Sequence, residues 1–146
     1  MNTQSLILHV SPETGNVSAE YILPLNSSCI MVLAHGAGAG MHHVFMLQLS
    51  NALAEKGIAT LRFNFPFMEK GKGPADRPPV AHKTIEAAIA KTQELFPELP
   101  LFVAGKSFGG RMSSQYLAAH NNTAVKGIIF YGFPLHPAGI PSTERA

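Results

Sequence analysis

The sequence predicts one α/β domain, a doubly wound, mostly parallel sheet with helices on both faces. Three observations predict it. From residue 29 onward, short apolar runs alternate with stretches of helical periodicity. Glycine-rich turns follow two of those runs, where a strand hands over to a helix. The 146 residues are 46% hydrophobic and 14% charged, enough for a buried core and unlike a disordered chain.

Each element has its own reason. "SLILHV" (5–10) and "VSAEYILP" (17–24) read as strands around a turn at Gly15 and Asn16. "CIMVLA" (29–34) is the unbroken apolar run of a strand covered on both faces. The glycine-rich "HGAGAG" (35–40) follows. Phe45, Leu49, Ala52 and Leu53 then share one helical face, and Gly57 ends that helix. "IATLRFNF" (58–65) is the next strand. "PFMEKGKGPADRPP" (66–79), with four prolines and two glycines, reads as a long loop with a functional role. Pro79 opens a helix that carries Ile85, Ala88, Ile89, Thr92 and Phe96. "LPLFVAG" (99–105) is a strand, 108–120 a helix with Met112, Tyr116 and Ala119 on one face, and "VKGIIFYGF" (125–133) the sixth strand. "PLHPAGIPSTERA" reads as irregular. In such sheets ligands sit beyond the carboxyl ends of the strands. His35, Asn64 to Phe67, Ser107 and His136 are therefore expected on one rim.

Charge excludes some functions. The net charge is +2 and no run of Lys or Arg forms a stripe, so no nucleic-acid partner is implied. The start lacks a basic region and a long apolar stretch, so neither a signal peptide nor a membrane span is expected, and a cytoplasmic location is. Cys29, the single cysteine, reads as a small buried apolar residue. There are eight Glu, one Asp (Asp76) and seven His from which to assemble acid–base chemistry. His42 and His43 are adjacent, point in different directions, and make a poor metal site.

The stretch "FVAGKSFGG" (102–110) admits two readings. Gly-Lys-Ser is the tail of a phosphate-binding loop, but that loop needs a glycine where Pro100 stands, and residues 101–104 read as strand. Gly105-Lys106-Ser107-Phe108-Gly109 is also G-x-S-x-G, a serine on a sharp strand-to-helix turn. The context favours the second reading. The bland alternative is a turn whose serine merely caps the helix. A nucleophilic Ser107 needs two N–H donors where negative charge develops. Phe108 N–H, at the helix start, is one. The glycine loop supplies the other, and Ala37 is the favoured residue.

"AHGAGAGMHHVFM", "LRFNFPFMEKGKGPADRPP", "AGKSFGGRMSS" and "YGFPLHP" occur in the order found in the α/β-hydrolase superfamily. The chain resembles its dienelactone-hydrolase-related branch. Nearer still, it is similar to the hydrolase-like domain shared by a testis-expressed protein and a subunit of the non-specific-lethal chromatin complex. The resemblance implies Ser107 as nucleophile, Phe108 and Ala37 as oxyanion donors, an eight-stranded sheet, and action on a small-molecule ester or related acyl bond without a cofactor. The family places its acid after the seventh strand and its histidine after the eighth. With six strands here, both are expected beyond Ala146, and the chain is read as C-terminally incomplete.

No residue present substitutes well. Asp76 reads as a loop residue paired with Arg77. His136 is on the expected rim but has no carboxylate to orient it. His35 reads as a hydrogen-bonded support for the glycine loop, and Lys106 and Arg111 as surface or pocket-wall charges. A serine without its base loses about 10⁴- to 10⁶-fold in turnover, so this polypeptide alone is expected to be nearly inactive. The alternative is a hydrolase-like scaffold for protein binding. The exposed edge at 128–133 is expected to drive self-association if the chain ends here.

The continuation is testable by mass. The native protein should exceed the 15.6 kDa of this sequence by roughly 60–80 residues, two further βα units. An intact mass of 15.6 kDa would refute this, and a monodisperse monomer at that mass would also refute the self-association.

Overall fold

The computed structural model describes residues 2–71 and 73–132. They run β1 (Thr3–Ser11), β2 (Gly15–Ile22), β3 (Cys29–Ala34), α1 (Val44–Glu55), β4 (Ile58–Phe63), α2 (Pro66–Glu69), α3 (Pro78–Leu95), β5 (Leu101–Gly105), α4 (Phe108–Ala119) and β6 (Val125–Phe130). Among the described residues the strands form one sheet in the order β1-β2-β4-β3-β5-β6. β1, β2 and β4 pair antiparallel in turn, while β4, β3, β5 and β6 are parallel.

Period-two alternation assigns the two faces. Ile30, Val32, Leu101 and Val103 point into the larger core, shared with Ile85, Ile89, Met112 and Tyr116 of α3 and α4. Leu33 and Ala104 point the other way, onto Met46, Phe45 and Leu49 of α1. Helices therefore cover both faces, as the apolar run of β3 requires. The connections out of β3 and β5 leave in opposite directions, one through α1 to β4 and the other through α4 to β6. The crevice between the ends of β3 and β5 is thus the switch point of the sheet.

The structure corrects several local readings. The first turn lies at 12–14, before Gly15, where the Ser11 hydroxyl accepts the Thr14 N–H at 3.0 Å. The strand expected to reach residue 65 ends at Phe63. The expected loop 66–79 begins and ends in helix. Pro66 and Pro78 open α2 and α3, where a fixed φ and a missing N–H cost nothing. Asp76 does not pair with Arg77. It accepts the Phe67 N–H at 3.2 Å and ties the connection back onto α2. Burial, partly offset by that bond and by Lys70, leaves its pKa above the ordinary 3.8. Cys29 is half-buried at the start of β3 rather than fully enclosed. β6 ends at Phe130 as the last strand of the sheet order, so the predicted edge 128–133 is strand only to Phe130. Phe133, His136 and the rest of 133–146 lie outside the described residues.

One buried charge sits inside the sheet. Arg62 is 1% exposed, donates from Nη2 to Glu20 Oε1 at 3.0 Å and from Nη1 to the Met41 carbonyl at 2.7 Å. A buried cation stripped of its anion costs more than the pair contributes. Glu20→Ala should therefore destabilise by about 2–4 kcal/mol in urea unfolding. The double variant Arg62→Met with Glu20→Gln should lose less than Glu20→Ala alone. A double variant less stable than the single one would contradict this account.

Candidate active site

Ser107 stands two residues past the end of β5 and immediately before α4, at φ 51° and ψ −109°. A non-glycine residue rarely adopts this conformation without something holding it there. Here the Ser107 N–H donates to the Gly132 carbonyl at 3.0 Å, and the Lys106 N–H donates to the Ala34 carbonyl at 3.0 Å. The elbow is thus bonded to the ends of both neighbouring strands. The Ser107 side chain makes no capping hydrogen bond to α4, so helix capping does not explain it. A side chain at Gly109 would run into the carbonyl carbon of Ala34 at 2.6 Å and the carbonyl oxygen of His35 at 2.6 Å. That close approach is what the second glycine of the motif permits.

Phe108 is the first residue of α4, so its N–H has no acceptor within the helix. Its ring is 5% exposed and fixed edge-on to Phe65 and Phe67, with centroids 5.2 and 5.6 Å away. The His35 ring meets the same two phenylalanines at 5.0 and 5.7 Å. These rings form a rigid floor beneath the elbow. Sequence reasoning missed it, although Phe63, Phe65 and Phe67 recur at every second residue.

The glycine loop comes up from β3 on the other side of the switch point. Gly36 lies against the elbow: a β-carbon there would be 3.4 Å from the Lys106 carbonyl oxygen and 3.9 Å from Ser107 Cβ. Ala37 is the next residue and is exposed. The structure therefore brings Ser107, Phe108 and the start of the loop together at one rim.

The loop is held from three directions. His35, fully buried, binds the Gly36 carbonyl with Nδ1 at 2.6 Å and accepts the Phe65 N–H at Nε2, 2.9 Å away. The second bond assigns the proton to Nδ1. Asn64 Oδ1 accepts the Met41 N–H at 2.9 Å, and a β-carbon at Gly40 would meet that oxygen at 2.7 Å. Asn64 Nδ2 donates to Glu69, which also accepts both the N–H and the hydroxyl of Ser18. Burial works upward on the Glu69 pKa, but the bonds from Ser18 and Asn64 outweigh it and leave the pKa below 4.5. Arg62 holds the Met41 carbonyl, and Glu20 spans Arg62 and His42. The signal for this clamp was a lone arginine inside an apolar strand.

Other candidates fall elsewhere. His43 caps α1 by accepting the Phe45 N–H at Nδ1, and His42 pairs with Glu20 at 2.7 Å. Among the described residues no group of three His, Cys, Asp or Glu is placed to hold a metal ion. Among them, too, no helix is long and apolar enough to cross a membrane.

Comparison with known proteins bears on the family and the fold. The family model described as an alpha/beta hydrolase domain matches residues 27–146. A proline iminopeptidase from Thermoplasma volcanium is 32% identical over 111 residues, 73% of this chain and 35% of its own length. The chain thus spans about a third of that curated relative. An α/β serine hydrolase without a lid from Xanthomonas campestris superposes with a TM-score of 0.75 at 24% identity, over 99% of this chain and 66% of that one. Dienelactone hydrolase from Anabaena variabilis gives a TM-score of 0.75 at 16% identity, over 91% and 65%.

His35 makes the loop's support pH-dependent. Burial, only partly offset by the bond to Gly36, lowers its pKa below the ordinary 6.5. The unfolded chain therefore takes up this proton before the folded one does. The stability tied to His35 is whole above pH 6.5 and is lost as pH falls below it. Urea midpoints should decline from about pH 7.5 to 5.5 in the wild type and decline less in His35→Gln. Equal slopes would contradict the assignment.

Proposed function

The chain belongs to the alpha/beta hydrolase domain family, and from that premise we propose that the whole protein is a serine hydrolase acting on an ester or related acyl bond. Ser107 is its nucleophile, and the N–H groups of Phe108 and Ala37 receive the oxyanion. The backbone of Ser107, at φ 51° and ψ −109°, carries the reading. Such a conformation persists where the surroundings over-determine it, and strain of this kind gathers at reacting groups. The neighbours named above, a serine hydrolase, a dienelactone hydrolase and a proline iminopeptidase, all have names that denote cleavage of acyl bonds, which supports the class of reaction. The dienelactone-related branch, the nearer likeness to the testis-expressed and chromatin-complex domains, a cytoplasmic location and the lack of a cofactor belong to the same proposal.

In this chemistry the Ser107 oxygen attacks the substrate carbonyl carbon while its proton passes to a base. The carbonyl oxygen takes up the negative charge facing the two amides. Collapse expels the alcohol, which recovers the proton, and leaves an acyl-enzyme that water hydrolyses. The base is a histidine outside the described residues, with its carboxylate partner.

A second reading, a hydrolase-like scaffold for protein binding or self-association, draws on β6. This strand closes the sheet order and places Ile128 and Ile129, both half-buried, along its length.

A fluorophosphonate probe separates the two. The full protein should be labelled at Ser107, and Ser107→Ala should abolish labelling and cut ester turnover by about 10⁴-fold or more. A folded wild-type protein that is not labelled would reject the hydrolase. The scaffold would gain if Ser107→Ala left partner binding intact while Ile128→Lys removed it.

A further inference from the structure

A cavity of about 220 Å³ opens beside the elbow, lined by Gly36, Gly38, Ala39, His43, Met46 and Lys106. Its walls are one-sided in charge. Lys106 brings an ammonium, and among the described residues no carboxylate lines the space. His43 spends Nδ1 as the acceptor for the Phe45 N–H, which leaves its other ring nitrogen as the donor. The other polar groups on this wall are backbone atoms of the glycine loop.

The lysine is also held rather than waving free. Lys106 is half-buried, and its Nζ lies 4.8 Å from the centroid of the Phe45 ring. That ring is braced edge-on by Tyr131, 6.2 Å away. A ring face attracts a cation without neutralising it. Among the described residues no Asp or Glu forms an ion pair with Lys106. A partly desolvated, oriented and uncompensated ammonium therefore stands one residue before the proposed nucleophile.

We propose that Lys106 is a specificity-determining residue, and that this cavity binds an anionic group of the substrate, a carboxylate or phosphate carried close to the scissile acyl bond. The inference rests on the serine-hydrolase reading for the identity of the scissile bond, and on the cavity for the charge. Gly36 lines the cavity and also lies against the elbow, where a β-carbon on it would be 3.9 Å from Ser107 Cβ. A substrate whose carbonyl meets Ser107 thus has its neighbouring atoms within reach of Lys106. A bond between an ammonium and a carboxylate in a partly dry site changes affinity by about 10- to 100-fold, and exposed pairs do far less.

The test uses the full protein and matched esters. p-Nitrophenyl hemiglutarate carries a carboxylate on the acyl side, 4-acetoxybenzoate carries one on the leaving-group side, and p-nitrophenyl valerate and phenyl acetate are their neutral counterparts. At least one anionic ester should exceed its neutral counterpart about tenfold or more in kcat/KM, and that preference should shrink as salt is raised. Lys106→Met should collapse the ratio toward one. Lys91→Met, which removes a surface lysine paired with Glu94, should leave it unchanged. Calorimetry with glutarate and with inorganic phosphate reads the cavity without turnover. Either anion should bind the wild type and be lost from Lys106→Met, and which one binds identifies the source. Ser107 labelling with no anionic preference and no binding of either anion would overturn this inference and leave the hydrolase standing. Anion binding lost with Lys106 but no labelling at Ser107 would overturn the hydrolase and leave the anion site.

Discussion

The backbone bend at Ser107 is the constraint on which the site depends. A serine held at φ 51° and ψ −109° costs about 1–3 kcal/mol relative to relaxed backbone. It persists because hydrogen bonds at the ends of the parallel strands fix Ser107 and the two residues before it. Lys106 is tied to the end of β3, Ser107 to Gly132, and the Gly105 carbonyl accepts from Tyr131 at 2.9 Å. The elbow is thus tied to the ends of three strands, whose register fixes the backbone of Ser107. α4 can begin one residue later only because Gly109 lets its first turn lie against Ala34 and His35.

The same logic governs the glycine loop, which has few side chains of its own to define a conformation. Its shape is imposed by neighbours distant in sequence. His35 grips its first carbonyl, while Asn64 and Arg62 hold the amide and the carbonyl of Met41 at its far end. Glu20 and Glu69 anchor those two residues to β2 and α2. The aromatic floor of Phe65, Phe67 and Phe108 joins both halves, because Phe108 belongs to the elbow while His35 belongs to the loop. The two proposed donor amides therefore rest on one rigid body.

What the sequence revealed and what it hid divide along a physical line. β3, α3 and the elbow were legible because each rests on local order: an unbroken apolar run, side chains three or four apart, glycines at fixed spacing. The clamp was not legible, because Arg62 and Glu20 are 42 residues apart and Ser18 and Glu69 are 51 apart. No local pattern encodes such pairs, although an arginine in the middle of "IATLRFNF" signalled that a partner had to exist. Pro79 was legible as an opener, one residue late, but Pro66 only as a breaker. Their role depends on whether the preceding residue is extended, as Phe65 is at ψ 154° and Arg77 at ψ 152°. The position of Asp76 followed from that error, since only a helical Phe67 offers it a free N–H.

The geometry also bears on the proton acceptor that the proposed chemistry needs. Of the described histidines, His35 has both nitrogens engaged, and burial opposes its taking a proton. His42 is bound to Glu20 on the far side of the loop, and His43 presents a donor where a base needs a lone pair. His9 bonds to Asn16 on the outer hairpin, His82 to Gln115 between α3 and α4, and His120 to the last turn of α4. The proposed chemistry therefore draws its base from outside the described residues. The Gly132 carbonyl, already bonded to the Ser107 amide, brings the chain past the elbow where β6 ends.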